Sequence, residues 1–134
     1  MGGPSGEHDI SLKSGHGVAE ALARRHHLVE SLTIPRDLDI EGARRWTQRA
    51  LASSRPDVVF IALHGTFGED GTVQQVCEEL HLAYTGSDVA ASRLGMDKVA
   101  SRQRFEAAGL SVPCWGVVEL GRGSIRLPEG ITYP

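Results

Sequence analysis

A run of six apolar residues, Val58 to Leu63, constrains this chain more than any other stretch. Bounded by turn residues, such a run reads as a strand buried on both faces of a parallel sheet. It ends on His64-Gly65, and a loop carrying Gly68, Glu69, Asp70 and Gly71 follows. Thr72 opens the next element, and Gln75 three residues on matches a capping box. Val73, Val76, Cys77 and Leu80 fall at i, i+3, i+4 and i+7, which gives a helix with one apolar face. Ala83 to Thr85 is a second short strand, stopped by Gly86. Strand, loop, helix, strand is the repeating unit of an α/β fold, a parallel sheet flanked by helices. Ligands in such units bind at the carboxyl ends of the strands, and His64 sits at that end.

The remainder of the chain fits the same class. Met1 to His8 is a glycine-rich loop, which turns the chain into a helix running from Ser11 to about Arg25. Leu12, Val18, Ala19, Leu22 and Ala23 are its apolar positions, with Ser11 or Asp9 as cap. Leu28 to Ile34 reads as another strand, ended by Pro35. Asp39 caps a helix to about Ser53, with Ile40, Ala43, Trp46, Ala50 and Leu51 on one side and Arg44, Arg45 and Arg49 on the solvated one. Ser87 can cap a short helix from Asp88 to Leu94, and a further helix from Met96 to Ala108 stops at Gly109. Trp115 to Leu120 suits a strand, and from Gly121 onward glycine and proline mark loop.

Composition removes several function classes. At 134 residues with 40% hydrophobic content, the chain can form one ordinary domain with a core. Its net charge of -3 gives no basic footprint for nucleic acid. No apolar run approaches a membrane span, and no signal-peptide pattern opens the chain. The two cysteines, Cys77 and Cys114, lie far apart and read as free thiols in a reducing compartment, so a cytoplasmic protein is expected.

Ala62-Leu63-His64-Gly65, Gly68-Glu69-Asp70-Gly71-Thr72 with Gln74, Tyr84-Thr85-Gly86-Ser87 and Met96-Asp97-Lys98 together resemble the D-alanine–D-alanine ligase family. So do Gly2-Gly3-Pro4-Ser5-Gly6-Glu7, Ile10-Ser11-Leu12 and Ser14-Gly15 near the start. The resemblance covers nearly all of this chain but only the first part of the family's enzyme. It implies a Rossmann-like, pre-ATP-grasp domain for substrate over residues 1–86. Connecting helices and the start of an ATP-grasp region would follow over 87–134. The apolar strand that precedes the glycine-rich loop in the family is missing, so marginal stability or aggregation of the isolated chain is expected.

The resemblance also implies an activity. ATP phosphorylates the carboxylate of one D-alanine, and the amine of a second displaces the phosphate. The resulting dipeptide enters peptidoglycan. D-alanine and ATP would be the partners, Mg2+ the metal, and a homodimer the assembly. The metal ligands are expected beyond this chain, which alone is expected not to catalyse.

By the same resemblance, Glu7 would bind the amino group of the first D-alanine, and His64 would contact that D-alanine or its phosphorylated form. Gly65 would let the substrate approach the backbone, and Lys98 would contact ATP phosphate. Read from the residues alone, each has a plainer role. Glu7 can be a solvated acid near a helix start. His64 can be a structural histidine bonded to loop backbone, and Lys98 a surface lysine. Glu69 and Asp70 suit a helix start better than a metal or acid–base pair. Ser5 and Ser87 show no activating base and suit caps and turns. His26-His27 reads as a solvated helix end, and the histidines show no zinc-type spacing.

Two other functions compete with the full ligase. One is a remnant or binding module without catalysis. The other is a ligase whose second substrate is D-lactate or D-serine. A dinucleotide-binding domain is weaker still, because Gly2-Gly3-x-x-Gly6 is not G-x-G-x-x-G.

Overall fold

The computed structural model describes residues 1–117. The elements are α1 (His8–Arg24), α2 (Ile40–Ser54), β1 (Val58–Val59), α3 (Thr72–Glu79), β2 (Ala83–Tyr84), α4 (Val89–Met96) and α5 (Lys98–Ala107). The chain is α/β, with a small parallel sheet flanked by helices. It divides into two compact units, Met1–Met96 and Asp97 onward.

In the first unit β1 and β2 run parallel, with Val58 opposite Ala83 and Val59 opposite Tyr84. The Thr85 amide donates to the Val59 carbonyl at 3.1 Å, and the Ile61 amide donates to Thr85 Oγ1 at 3.1 Å. That side-chain bond replaces a ladder bond where regular pairing stops. The expected six-residue buried strand is therefore corrected to two paired residues. Val58 is 57% and Phe60 49% exposed, while only Ala62 and Leu63 at the far end are buried. Leu28 to Ile34 likewise forms no strand. Gly2 and Ile34 make one isolated parallel bridge, supported by Gly3 N–H donating to Ile34 O and Ile34 N–H to Met1 O, both at 3.0 Å. A strand exists only where a neighbour pairs with it, and apolar runs do not report their neighbours.

The core of this unit lies between α2, α3 and the extended run before His64. Ile34, Ala43, Leu63, Phe67 and Val73 form one cluster, with Leu38, Trp46 and Ile61 packed on it. Leu51, Val76 and Cys77 form another, flanked by Leu32, Val59, Leu80, Leu82 and Tyr84. The apolar face expected of α3 is the face that is buried. Asp39 caps α2 as expected, accepting from the Gly42 amide at 2.7 Å. Arg44 leaves the solvated set assigned to it: its Nη2 contacts both Glu79 carboxylate oxygens at 2.6 Å and joins α2 to α3.

Three helix starts are corrected. α1 begins at His8, and Ser11 lies inside it, fully buried, rather than capping it. Thr72 and Gln75 form no capping box: Gly71 precedes α3 with no side-chain cap, and the Gln75 side chain bonds Glu79 and Arg93. Asp88, not Ser87, receives the amide of Ala91 at the start of α4. In each case a neighbouring group reached the free amide better, or the candidate hydroxyl was drawn into the interior.

In the second unit Asp97 caps α5, accepting from the amides of Val99 and Ala100, and the helix ends before Gly109. Arg102 lies 5.9 Å from the Trp115 ring centroid, and the Trp115 indole donates to Glu106 at 2.9 Å. Residues 115–117 form no strand, and the rest of the expected Trp115–Leu120 strand, with all that follows, lies outside the described residues. No helix among the described residues is long and apolar enough to cross a membrane.

Candidate active site

The site is built where the run from Val58 ends and α1 begins. Ser11, buried in the first turns of α1, donates its hydroxyl to the Ala62 carbonyl at 2.7 Å and accepts from the Gly2 amide at 2.8 Å. One side chain thus ties the glycine-rich loop, α1 and the end of the apolar run together. At His64, two residues beyond Ala62, Ser5 repeats the device. Its hydroxyl donates to the His64 carbonyl at 2.7 Å and accepts from the Glu7 amide at 3.1 Å. His8, also buried, bonds the Gly3 carbonyl through Nδ1 at 2.7 Å. These are turn and tether roles, and no base activates Ser5.

The tethers bring Glu7 against Gly65. Gly65 has φ +67, and a Cβ built there would stand 2.7 Å from Glu7 Oε2. Glycine is required twice, for its backbone conformation and for the space the carboxylate occupies. Glu7 precedes α1 without making a side-chain cap bond, and it is exposed. Its charge faces outward over Gly65 rather than being spent on the helix amides.

His64 is half-buried between two side chains. Its Nε2 lies 3.2 Å from Ser14 Oγ on α1, and its Nδ1 lies 3.6 Å from Glu69 Oε1 in the loop. Behind it, the loop is held rigidly. The Gly68 and Glu69 amides both donate to the Gly65 carbonyl, and the buried Gln74 amide donates to the Gly68 carbonyl at 2.8 Å. Phe67 is fully buried at φ +76, a conformation rare for a bulky residue and stored where the structure over-determines it. Asp70 accepts from the Phe67 amide at 2.9 Å and the Thr72 amide at 3.0 Å. Burial pushes its carboxyl up, but the bonds from Phe67 and Thr72 outweigh this and hold it below its ordinary value.

The acidic pair therefore splits. Asp70 serves the helix start, as expected, while Glu69 turns its carboxylate to His64. Ser14, Glu69 and Phe67 are the residues that sequence reasoning did not place at a site. Ser14 carried a signal only as part of the Ser14-Gly15 resemblance. Lys98 lies at the start of α5 in the second unit, exposed, next to the Asp97 cap. The structure brings Glu7, His64 and Gly65 together in the first unit, and Lys98 belongs to the second. Among the described residues no group of three or more His, Cys, Asp or Glu side chains is placed to hold a metal ion.

Residues 36–87 match the family described as D-ala D-ala ligase N-terminus. The D-alanine–D-alanine ligase of Geobacter sulfurreducens is 40% identical over 134 residues, covering 100% of this chain and 40% of the relative. That of Aquifex aeolicus is 43% identical, covering 100% of this chain and 43% of the relative. A crystal structure of D-alanine–D-alanine ligase from Bacillus anthracis superposes with TM-score 0.69 at 30% identity, over 86% of this chain and 35% of that one. The same ligase complexed with ATP gives TM-score 0.70 at 27% identity, over 91% and 41%. The chain spans about two-fifths of the length of these relatives. Over its full length the chain is similar to the N-terminal part of D-alanine–D-alanine ligases, and residues 36–87 match the model of that N-terminal domain.

Proposed function

We propose that this chain supplies the binding end for the first amino acid of an ATP-dependent D-alanine–D-alanine ligase that makes the dipeptide for peptidoglycan. The observation that carries the reading is the placement of the Glu7 carboxylate over Gly65, beside His64. A small amino acid carries one ammonium and one carboxylate. Glu7 accepts hydrogen bonds from the ammonium. His64 donates to the carboxylate at the other end and to the acyl phosphate that the carboxylate becomes. Gly65, lacking a side chain, leaves room for the Glu7 carboxylate beside the backbone that the ligand approaches.

In this reading the substrate carboxylate attacks the γ-phosphorus of ATP, and ADP leaves. The amine of a second D-alanine attacks the acyl carbon, loses a proton, and phosphate leaves. The part of Glu7 and His64 is to hold the first substrate while its charge changes, an electrostatic and positional contribution. Lys98, a mobile point charge on a long stem, is assigned to ATP phosphate. Residues 1–86 form the substrate domain in this reading, and 87–134 lead into the ATP-binding region. Magnesium is expected with ATP, but the described residues do not fit a magnesium site. A homodimer and a cytoplasmic location belong to the same reading. Cys77, a buried thiol outside any disulfide, agrees with a reducing compartment.

The test is a calorimetric or NMR titration of the chain with D-alanine and, separately, L-alanine. Binding of D-alanine that weakens at least tenfold in Glu7→Gln is expected. Equal response to both enantiomers, or no effect of Glu7→Gln, refutes the assignment. The 134-residue chain is expected to release no ADP from ATP in the presence of D-alanine, because it spans about two-fifths of its relatives.

A further inference from the structure

We infer that Glu69 is a positioning residue for His64, deciding which imidazole nitrogen carries the proton and therefore which one is offered to the substrate. The inference rests on the reading of His64 as a substrate-binding residue.

Both ring nitrogens are faced by side chains, and the two partners differ in kind. Nδ1 lies 3.6 Å from Glu69 Oε1, within ion-pair range but too long for a hydrogen bond. Nε2 lies 3.2 Å from Ser14 Oγ. An ionised carboxylate only accepts, whereas a hydroxyl donates or accepts as it rotates. Only one arrangement satisfies both sides of a neutral ring. The proton sits on Nδ1, toward Glu69, and Nε2 accepts from the Ser14 hydroxyl. The carboxylate fixes the choice, and Ser14 adapts to it.

Glu69 is held for this task by bonds that do not involve its own side chain. Its amide donates to the Gly65 carbonyl at 2.9 Å, closing the turn immediately after His64. Asp70 next to it takes the Phe67 and Thr72 amides, and Phe67 anchors the loop in the core. The Glu69 carboxylate is half exposed and contributes nothing to that framework. Its backbone is fixed by the turn, and its carboxylate lies toward His64.

The consequence appears when an anion arrives. Nε2 exchanges the Ser14 hydroxyl for an oxygen of the ligand, taking up a proton from solvent so that it can donate. Glu69 then faces an imidazolium rather than a neutral ring and stabilises it. Glu7, across Gly65, carries a further carboxylate at this place. His64 is in this way prepared to bind a carboxylate or acyl phosphate through Nε2 with its ring plane already set.

The experiment is 15N NMR of the chain labelled at histidine, with the His64 resonances identified by their loss in His64→Gln. The two nitrogens have distinct shifts when protonated and unprotonated. In the native chain above the range where imidazole is charged, Nδ1–H is expected to dominate. In Glu69→Ala the signal is expected to shift to the Nε2–H form, with Glu69→Gln as a second variant of unchanged shape that loses part of the Nδ1–H population. Ser14→Ala should retain Nδ1–H. An unchanged tautomer in both Glu69 variants overturns the inference, as does a switch in Ser14→Ala alone. D-alanine added to the native chain then separates the two claims. If His64 does not respond to it, the substrate-binding reading fails, whereas the tautomer comparison decides the role of Glu69 by itself.

Discussion

Glu7 Oε2 stands 2.7 Å from the point where a side chain on Gly65 would begin, so the two residues share one space. Gly65→Ala must both move that carboxylate and adopt φ +67, which a Cβ disfavours by about 1–2 kcal/mol. Loss of D-alanine binding by more than tenfold is expected, with the melting temperature lowered by only a few degrees. A variant that binds as well as the native chain would detach Glu7 from the site. Glu7→Gln is the companion: it keeps the shape, removes the charge, and should lose binding with no change in melting temperature.

Gly68 is a purely packing case. A Cβ there would collide with Leu63 Cβ and would stand 2.8 Å from the Leu63 carbonyl carbon, which is backbone and has nowhere to go. Gly68→Ala is expected to destabilise the chain by about 2 kcal/mol, in the range of overpacked cores. A urea melt checks it. The loop from Gly65 to Gly71 would also loosen, so amide exchange at Phe67 and Glu69 should quicken more than exchange in α2.

The local signals in the sequence identified the elements that depend on local physics. Asp39 was recognisable as a cap because one side chain reaches an amide three residues ahead. The α3 face of Val73, Val76, Cys77 and Leu80 was recognisable because helical spacing places them together whatever lies opposite. The short strand at Ala83 was recognisable too, but strand extent was not, since Val58 to Leu63 and Leu28 to Ile34 carry the right residues and pair only where a neighbour is present. Ser11 reads as a cap in sequence because hydroxyls favour helix starts, yet the Ala62 carbonyl, 51 residues away, drew it inside the helix. The same distance effect hid Ser14, whose partner His64 is 50 residues away. Glu69 was assigned to the helix start with Asp70, and only the turn closed on the Gly65 carbonyl separates their directions.

Asp70 gives the acid limb of stability a specific cause. Its carboxyl is held below its ordinary value of 3.8, so the folded state binds its proton less readily than the unfolded chain. Its contribution is present in full above that ordinary value and is lost as pH falls through the lower folded value. Asp70→Asn keeps the shape but removes the charge. It should lower stability at pH 7 by about 1 kcal/mol, because the amide nitrogen that replaces one oxygen cannot accept from the Phe67 or Thr72 amide. It should also flatten the decline as pH falls below the ordinary value of 3.8. Melting temperatures of both chains across that range, compared pairwise, test this. Parallel curves would show that Asp70 carries no charge-linked stability.

The Arg44–Glu79 pair joins α2 to α3 at 2.6 Å, with both side chains partly covered. Pairs open to water contribute little, and this one is discounted for the water that still reaches it. Arg44→Ala is expected to cost about 1 kcal/mol, and a double-mutant cycle with Glu79→Ala should return less than that as the coupling. Raising salt to about 1 M should shrink the coupling by more than half. A coupling that survives salt unchanged would mean that Arg44 acts through the packing of its stem against α3 rather than through its charge.

The two thiols should react at very different rates. Cys77 is fully buried, and burial followed by the charge of Glu78 pushes its thiol up to about 11, so at pH 8 it is almost wholly protonated and out of reach. Cys114 is exposed. Titration of the folded chain with a chromogenic disulfide at pH 8 should therefore release about one equivalent quickly. The second should appear only as the first unit opens, at a rate that rises with urea. Cys77→Ala should keep the fast equivalent and abolish the slow phase, while removing part of the packing shared with Leu51 and Val76. Two fast equivalents in the native chain would mean that α3 leaves the core far more often than its burial implies.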